Sequence, residues 1–283
     1  MRKRMMWKKI SLTLVLVVAQ FCYGDFLDDR IQNFIGEDVY KINRNFIDKI
    51  FQDKQLFFQD GVLDNKKILE TLKSNGLLNL KFDSPKEVNI IFSSHTSPIF
   101  LLRTVNSVLA SMGYSYFEVK KAEYDGGIAS IMFGFASEYM IDPLIILEEM
   151  NKRGYIFNDV KKINQQAWEY DVTLFDPRLS NAKNIEPGDT LDLKEVSGEY
   201  WLQISDVWGN MSITANNVDW RPKIVFFDKN LQIIDILQKQ TNIASITFNV
   251  LKDVRFILIS DSKNPTALKG GIKVEFSDFK EGR

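Results

Sequence analysis

The sequence predicts an α+β chain of two unlike halves, and three observations carry that prediction. A strand–helix–strand pattern occurs twice between residues 88 and 174, short runs of alternating or β-branched residues fill the chain beyond residue 188, and a basic then apolar leader precedes both. Each element can be justified in chain order.

Arg2, Lys3, Arg4, Lys8 and Lys9 lead into an apolar run from Ile10 to Phe21, which ends in Cys22-Tyr23-Gly24 before Asp25. That is the layout of a secretory signal peptide, with cleavage expected between Gly24 and Asp25 and a periplasmic destination. The run is shorter than the roughly 20 residues that cross a bilayer core, so no stable membrane span is expected after cleavage. The whole chain carries 36 Lys+Arg and 37 Asp+Glu; subtracting the five leader cations leaves 31 against 37, a net of −6. A mildly acidic chain without a basic block has no electrostatic footprint for nucleic acid. The one cysteine leaves with the leader, which excludes a disulfide framework and thiol chemistry.

Residues 25–84 read as a helical N-terminal segment. Phe46, Ile47, Ile50 and Phe51 recur at helical spacing, and Ile68, Leu69 and Leu72 mark a further helix with Asp64 as N-cap and Gly76 as its stop.

Residues 85–176 contain the repeat. "GYSYFEVKK" (113–121) and "GYIFNDVKK" (154–162) align, each preceded by a helix that opens at a proline, Pro98 or Pro143. Ser97 and Asp142 are good N-caps, and Gly113 and Gly154 sit where a left-handed C′ residue belongs. Ile99, Leu102, Val105, Leu109 and Met112 stripe one helix; Leu144, Leu147 and Met150 stripe the other. "VNIIFSS" and "GIASIMFGFASEY" precede the helices as strands, and Asp125-Gly126-Gly127 joins the halves as a hairpin turn. The pattern is that of a ferredoxin-like split βαβ domain. It places the two nearly uncharged strands in the centre of the sheet and the two Lys-Lys strands at its margins, where lysine blocks edge-to-edge association.

Residues 177–187, with Pro187-Gly188 at their end, read as a linker to a domain spanning 188–283. There "TLDLKEV", "EYWLQIS", "MSITANN", "KIVFFD", "LQIIDIL", "ASITFNV", "VRFILIS" and "GIKVEF" predict an all-β sandwich.

The chain carries few residues arranged for chemistry. His95, the one histidine, lies in "SSHTSP", where the hydroxyls serve the end of a strand and the start of a capped helix; it has no Gly-x-Ser-x-Gly elbow to work with. Glu148-Glu149 fall on the polar side of their helix. No calcium loop, zinc constellation or phosphate loop is present, so no catalytic, metal or cofactor site is expected. Aromatic residues offer another route: Tyr200, Trp208 and Trp220 are candidate contacts for a glycan or a partner, set against the ordinary use of such residues in a sandwich core.

Between 185 and 277 the chain resembles the bacterial pre-peptidase C-terminal type of β-sandwich. The residues that carry the likeness are Ile224 to Asp228 with Asn230, then Ile246 to Val250, and finally Gly270, Gly271, Ile272 and Val274. The resemblance implies an accessory module that binds or spaces and performs no reaction. The repeat is similar in layout to the small ferredoxin-like modules of type II secretion and type IV pilus assembly, which pair with partners or with copies of themselves. The Lys-, Asn-, Ile- and Phe-rich texture resembles envelope proteins of campylobacter-like bacteria. Together these suggest a non-catalytic periplasmic protein that docks envelope proteins or itself, in secretion, pilus, flagellar-motor or cell-wall machinery. The alternative is a carbohydrate- or peptidoglycan-binding module, and a hydrolase comes last.

Overall fold

The structure is a computed structural model that describes residues 26–205, 208–216 and 219–278. The expected leader and its cleavage site at Gly24 and Asp25 lie outside the described residues. The fold is mixed α+β with most regular residues in sheets. The chain forms two compact units: the first takes the chain to Ser94 with Met112–Asn151 and Ile156–Thr173, the second His95–Ser111, Lys152–Tyr155 and Leu174–Arg283. Each unit is therefore assembled from more than one stretch of the chain, with the last passage between them at Thr173/Leu174.

The first unit opens with helix α1 (residues 26–35), α2 (Glu37–Ile42) and α3 (Arg44–Ile50), then a hairpin of β1 (Phe58–Gln59) and β2 (Val62–Leu63). Helix α4 (Asn65–Ser74) starts where expected, because the Asp64 carboxylate accepts the Lys67 N–H at 3.0 Å. Gly76 ends it with φ of 71°, and the Leu77 N–H returns to the Leu72 carbonyl. Strand β3 (Lys81–Ser94) follows, and the chain then passes through α5 (Pro98–Ser111), which belongs to the second unit. Next come β4 (Glu118–Asp125), β5 (Ile128–Tyr139), α6 (Pro143–Lys152), β6 (Tyr155–Asn164) and β7 (Ala167–Leu174). Gly126 and Gly127, at φ of 55° and 83°, make the β4–β5 turn. Asp142 caps α6 by accepting the Leu144 N–H at 3.0 Å.

The sheet order is β4-β5-β3-β7-β6. A four-stranded split βαβ sheet would set residues 155–164 beside β3. Instead β7 takes that place, parallel to β3, and β6 keeps the margin one strand further out. The reason is visible in "AWEYDVTL": Trp168, Tyr170 and Val172 alternate with Glu169, Asp171 and Thr173 and bury one face, which suits an interior strand. Val88, Ile90 and Phe92 of β3 and Ala129, Ile131 and Phe133 of β5 complete that face. Its aromatic row runs from Phe133 through Phe92 to Tyr170, the last two rings stacked at 5.1 Å.

The margins are protected in two ways. Strand β4 is exposed throughout, and its Lys120 pairs with Glu87 and Glu118 while lying across Gly134, where any side chain would collide with it. Strand β6 is sealed by α1 instead. The Asn33 side-chain amide donates to the Lys162 carbonyl at 2.9 Å and accepts the Lys162 N–H at 3.0 Å, imitating a neighbouring strand. Arg30 bonds the Val160 carbonyl and pairs with Asp159 at 2.7 Å. Lys162, expected as a solvated guard, folds back to the Phe34 carbonyl, and burial pushes its ammonium pKa down.

In the second unit the expected linker is structural. It contains β8 (Ala182–Asn184), which pairs with a neighbouring strand, and Leu179 and Ile185 are buried. Then come β9 (Thr190–Leu193), β10 (Tyr200–Gln203), β11 (Gly209–Ala215), β12 (Pro222–Phe227), β13 (Ile233–Gln238), β14 (Ser245–Val250), β15 (Phe256–Asp261) and β16 (Ile272–Ser277). They form two sheets, β13-β12-β15-β10-β8 and β14-β11-β16-β9. Tyr200, Leu202, Ile224, Phe226, Ile257 and Ile259 of the first meet Met211, Ile213, Phe248, Val250, Ile272 and Val274 of the second in one core. The outer face of the first sheet is partly covered as well. From α5, Phe100 lies 6.0 Å from Phe256 and the Arg103 guanidinium 4.1 Å over the Trp201 ring.

Gly154, at φ of 86°, crosses the backbone so closely that a Cβ there would lie 1.5 Å from the Asp176 carbonyl oxygen. Its own carbonyl accepts the N–H groups of Phe175 and Asp176 at 2.9 and 3.1 Å. Gly154→Ala is expected to cost at least about 3 kcal/mol in urea unfolding, against ~1 kcal/mol for Gly126→Ala at its open turn.

Two buried or half-buried carboxylates set the acid limit. Burial alone would raise both, but Arg30, Lys161 and the Val160 N–H hold Asp159 below the ordinary range, and the N–H groups of Asn264, Arg221 and Lys263 do so for Asp261. A folded pKa below the unfolded one means that the unfolded chain binds more protons. The stabilisation is therefore present above the unfolded value of about 3.9 and disappears as the pH falls through the folded values. Thermal unfolding between pH 7 and 2.5 should show a midpoint that drops below about pH 4, with a shallower drop in Asp261→Asn.

Candidate functional site

The aromatic candidates divide by burial. Tyr200 faces the sandwich core, and its hydroxyl donates to the Leu268 carbonyl at 2.6 Å while receiving the Glu195 N–H at 3.3 Å. Trp220 is wholly buried in the same core, its backbone paired both ways with Ile243. Neither can stack on a sugar, so the glycan or partner contact expected of Tyr200 and Trp220 is corrected: both are framework. Trp201, on the opposite face of its strand, is enclosed by Arg103 and by Phe227, stacked at 5.3 Å. Trp208 is half exposed, with the Lys252 ammonium 5.6 Å from its ring centre.

His95 lies at the surface. Among the described residues no three of His, Cys, Asp and Glu gather in a group able to hold a metal. No helix among them is long and apolar enough to cross a membrane.

What the second unit does present is an apolar margin. Strand β13, "IIDILQ", ends its sheet and is bonded on one side only, to β12. Ile236 pairs opposite Val225 and Ile233 opposite Phe227, so both isoleucines point to the outer face. They are 48% and 59% exposed, and Ile234 between them is exposed too. Leu237 opposite Ile224 turns inward and packs on the core. The helix α5 cover reaches Phe256 and Trp201, two and three strands further in. Unlike β4, this margin has no lysine in its strand. Asp235 on the inner face and the register shift near Phe226 and Phe227 keep it from pairing with any passing strand, since inward charges and irregularities are edge-blunting devices. The residues of "LQIIDIL" mark a strand by themselves, whereas its place at the end of the sheet, with its isoleucines bare, follows from the strand order.

The two tryptophans give a direct test of framework against surface. Trp220→Ala should cost about 3–5 kcal/mol in denaturant unfolding, whereas Trp208→Ala should stay within ~0.5 kcal/mol of the parent. In comparisons with known proteins, no family model and no curated protein matches the chain. Among solved structures, the pre-peptidase C-terminal domain of collagenase from Bacillus anthracis aligns at 14% identity and a TM-score of 0.23, over 36% of this chain and 98% of that one.

Proposed function

We propose that this is an exported, non-catalytic docking protein of the bacterial envelope, whose second unit receives an extended segment of a partner protein along β13. The single observation that supports it most is the exposure of Ile233, Ile234 and Ile236 on a strand with one vacant hydrogen-bonding side. Strand addition supplies main-chain hydrogen bonds for affinity and side-chain alternation for selectivity. An apolar row at a sheet margin is costly to keep bare unless something covers it. The leader expected over residues 1–24 supports a periplasmic site of action. The first unit is read as an elaborated ferredoxin-like split βαβ domain, in which the β6–β7 hairpin supplies the added strand. The second is read as a sandwich of the pre-peptidase C-terminal type. The glycan-binding alternative now rests on Trp208 alone.

Tagged wild-type protein and the Ile233→Lys/Ile236→Lys variant, incubated with detergent-solubilised envelopes, separate these readings. Both changes are on exposed positions and should leave stability within about 0.5 kcal/mol each. The expected result is a defined partner recovered with wild type and reduced at least tenfold with the variant. Equal recovery by both would remove β13 as the docking surface; binding to purified sacculi that is lost in Trp208→Ala would favour the glycan reading.

A further inference from the structure

A small cleft of about 200 Å³ in the second unit brings together three arginines from three stretches of chain: Arg103 of α5, Arg153 before the Gly154 crossing, and Arg178 beyond it. Thr104, Ser107 and Ser180 complete its polar wall. The three guanidinium groups are engaged very differently. Arg178 is held by Asp176, at 2.7 and 2.8 Å from the same carboxylate oxygen. Arg153 is buried and donates to the hydroxyl and carbonyl oxygens of Ser107 at 3.1 and 3.2 Å, and the Ser107 hydroxyl meets that of Ser180 at 2.8 Å. Arg103 lies over the Trp201 ring at 4.1 Å and, among the described residues, has neither a carboxylate within pairing distance nor a hydrogen-bond acceptor. Burial lowers its pKa and the charge of Glu199 opposes the shift. A guanidinium stacked on an indole keeps all its N–H groups at the rim of the plane, available to an acceptor.

The Thr104 hydroxyl, on the cleft wall and 2% exposed, faces the buried Tyr155 hydroxyl, so the cleft's capacity for a ligand rests on the arginines.

We propose that this cleft binds a tetrahedral oxyanion, the phosphate group of a small molecule or of a lipid headgroup. Arg103 brings N–H groups that no carboxylate takes up, beside the partnered guanidinium groups of Arg153 and Arg178, and a tetrahedral anion has enough acceptor oxygens to meet such a planar, multi-donor group. The volume falls below the roughly 300–1,000 Å³ of ordinary ligand pockets, so it accommodates the anionic group and leaves the rest of the molecule outside. The cleft is a cationic spot in a chain whose formal charge is −1. The site is separate from the β13 margin and does not depend on the docking reading.

Trp201 reports occupancy, because an anion drawn to Arg103 alters the cation above its ring. Inorganic phosphate titrated at constant ionic strength should give a saturable change in tryptophan emission that is absent in Trp201→Phe. The affinity should fall at least tenfold in Arg103→Gln and also in Ser180→Asp, a surface change that places a carboxylate at the cleft without threatening the fold. Co-sedimentation with phosphatidylglycerol vesicles, and its absence with phosphatidylcholine, assigns the phosphate to lipid; a response to free phosphate without vesicle binding assigns it to a soluble ligand. The proposal is overturned if phosphate produces no saturable change, if chloride at equal ionic strength produces the same one, or if Ser180→Asp leaves the affinity intact.

Discussion

The crossing of Gly154 over Asp176 is the contact on which the second unit depends. With no side chain in the way, the Gly154 carbonyl takes two successive N–H groups, and the Arg153 carbonyl takes a third from Arg178 at 3.3 Å. Asp176, fixed there, divides its carboxylate between Arg178 and Arg255, the latter at 2.9 Å. Arg255 in turn donates to the Ile204 carbonyl, and Gln203 to the carbonyl of Pro177. One approach too close for any Cβ thus registers residues 174–181 against the end of β10 and leads the chain into β8. It also lines up Ser180 with Ser107, which shapes the wall of the arginine cleft.

Much of this was legible in the sequence, for local reasons. Caps at Asp64 and Asp142 and left-handed stops at Gly76, Gly113 and Gly154 are short-range chemistry, and they were read where they stand. The eight runs beyond residue 188 all became strands because alternation is a property of a few neighbouring residues. The failures lie where a distant partner decides. Strand β7 had a clean alternation that went unread beside the more conspicuous Gly-Tyr repeat. β8 has too few residues to carry a pattern, and its strand conformation comes from pairing with β10. The burial of Trp201 is equally non-local: alternation sends it outward from Tyr200 and Leu202, and a helix a hundred residues earlier in the chain encloses it. The candidate margin was legible as a strand and illegible as a margin, since strand order is a property of the whole sheet.

The two units handle vacant backbone by different chemistry. The first satisfies one margin with an asparagine that pairs as a strand would and leaves the other to charge; the second leaves β13 apolar. Charged and amide cover keeps a sheet solitary, and a hydrophobic margin invites company. That contrast, within one chain, is why partner recognition is proposed for the second unit.

Helix α5 is drawn from between two strands of one unit and completes the other, so the chain passes back and forth between them several times. No single cut yields either piece whole. During synthesis Phe100 emerges some 150 residues ahead of Phe256, the ring that shelters it, and the polypeptide must be nearly finished before its middle can settle. A protein wired in this way is obliged to mature late and all at once.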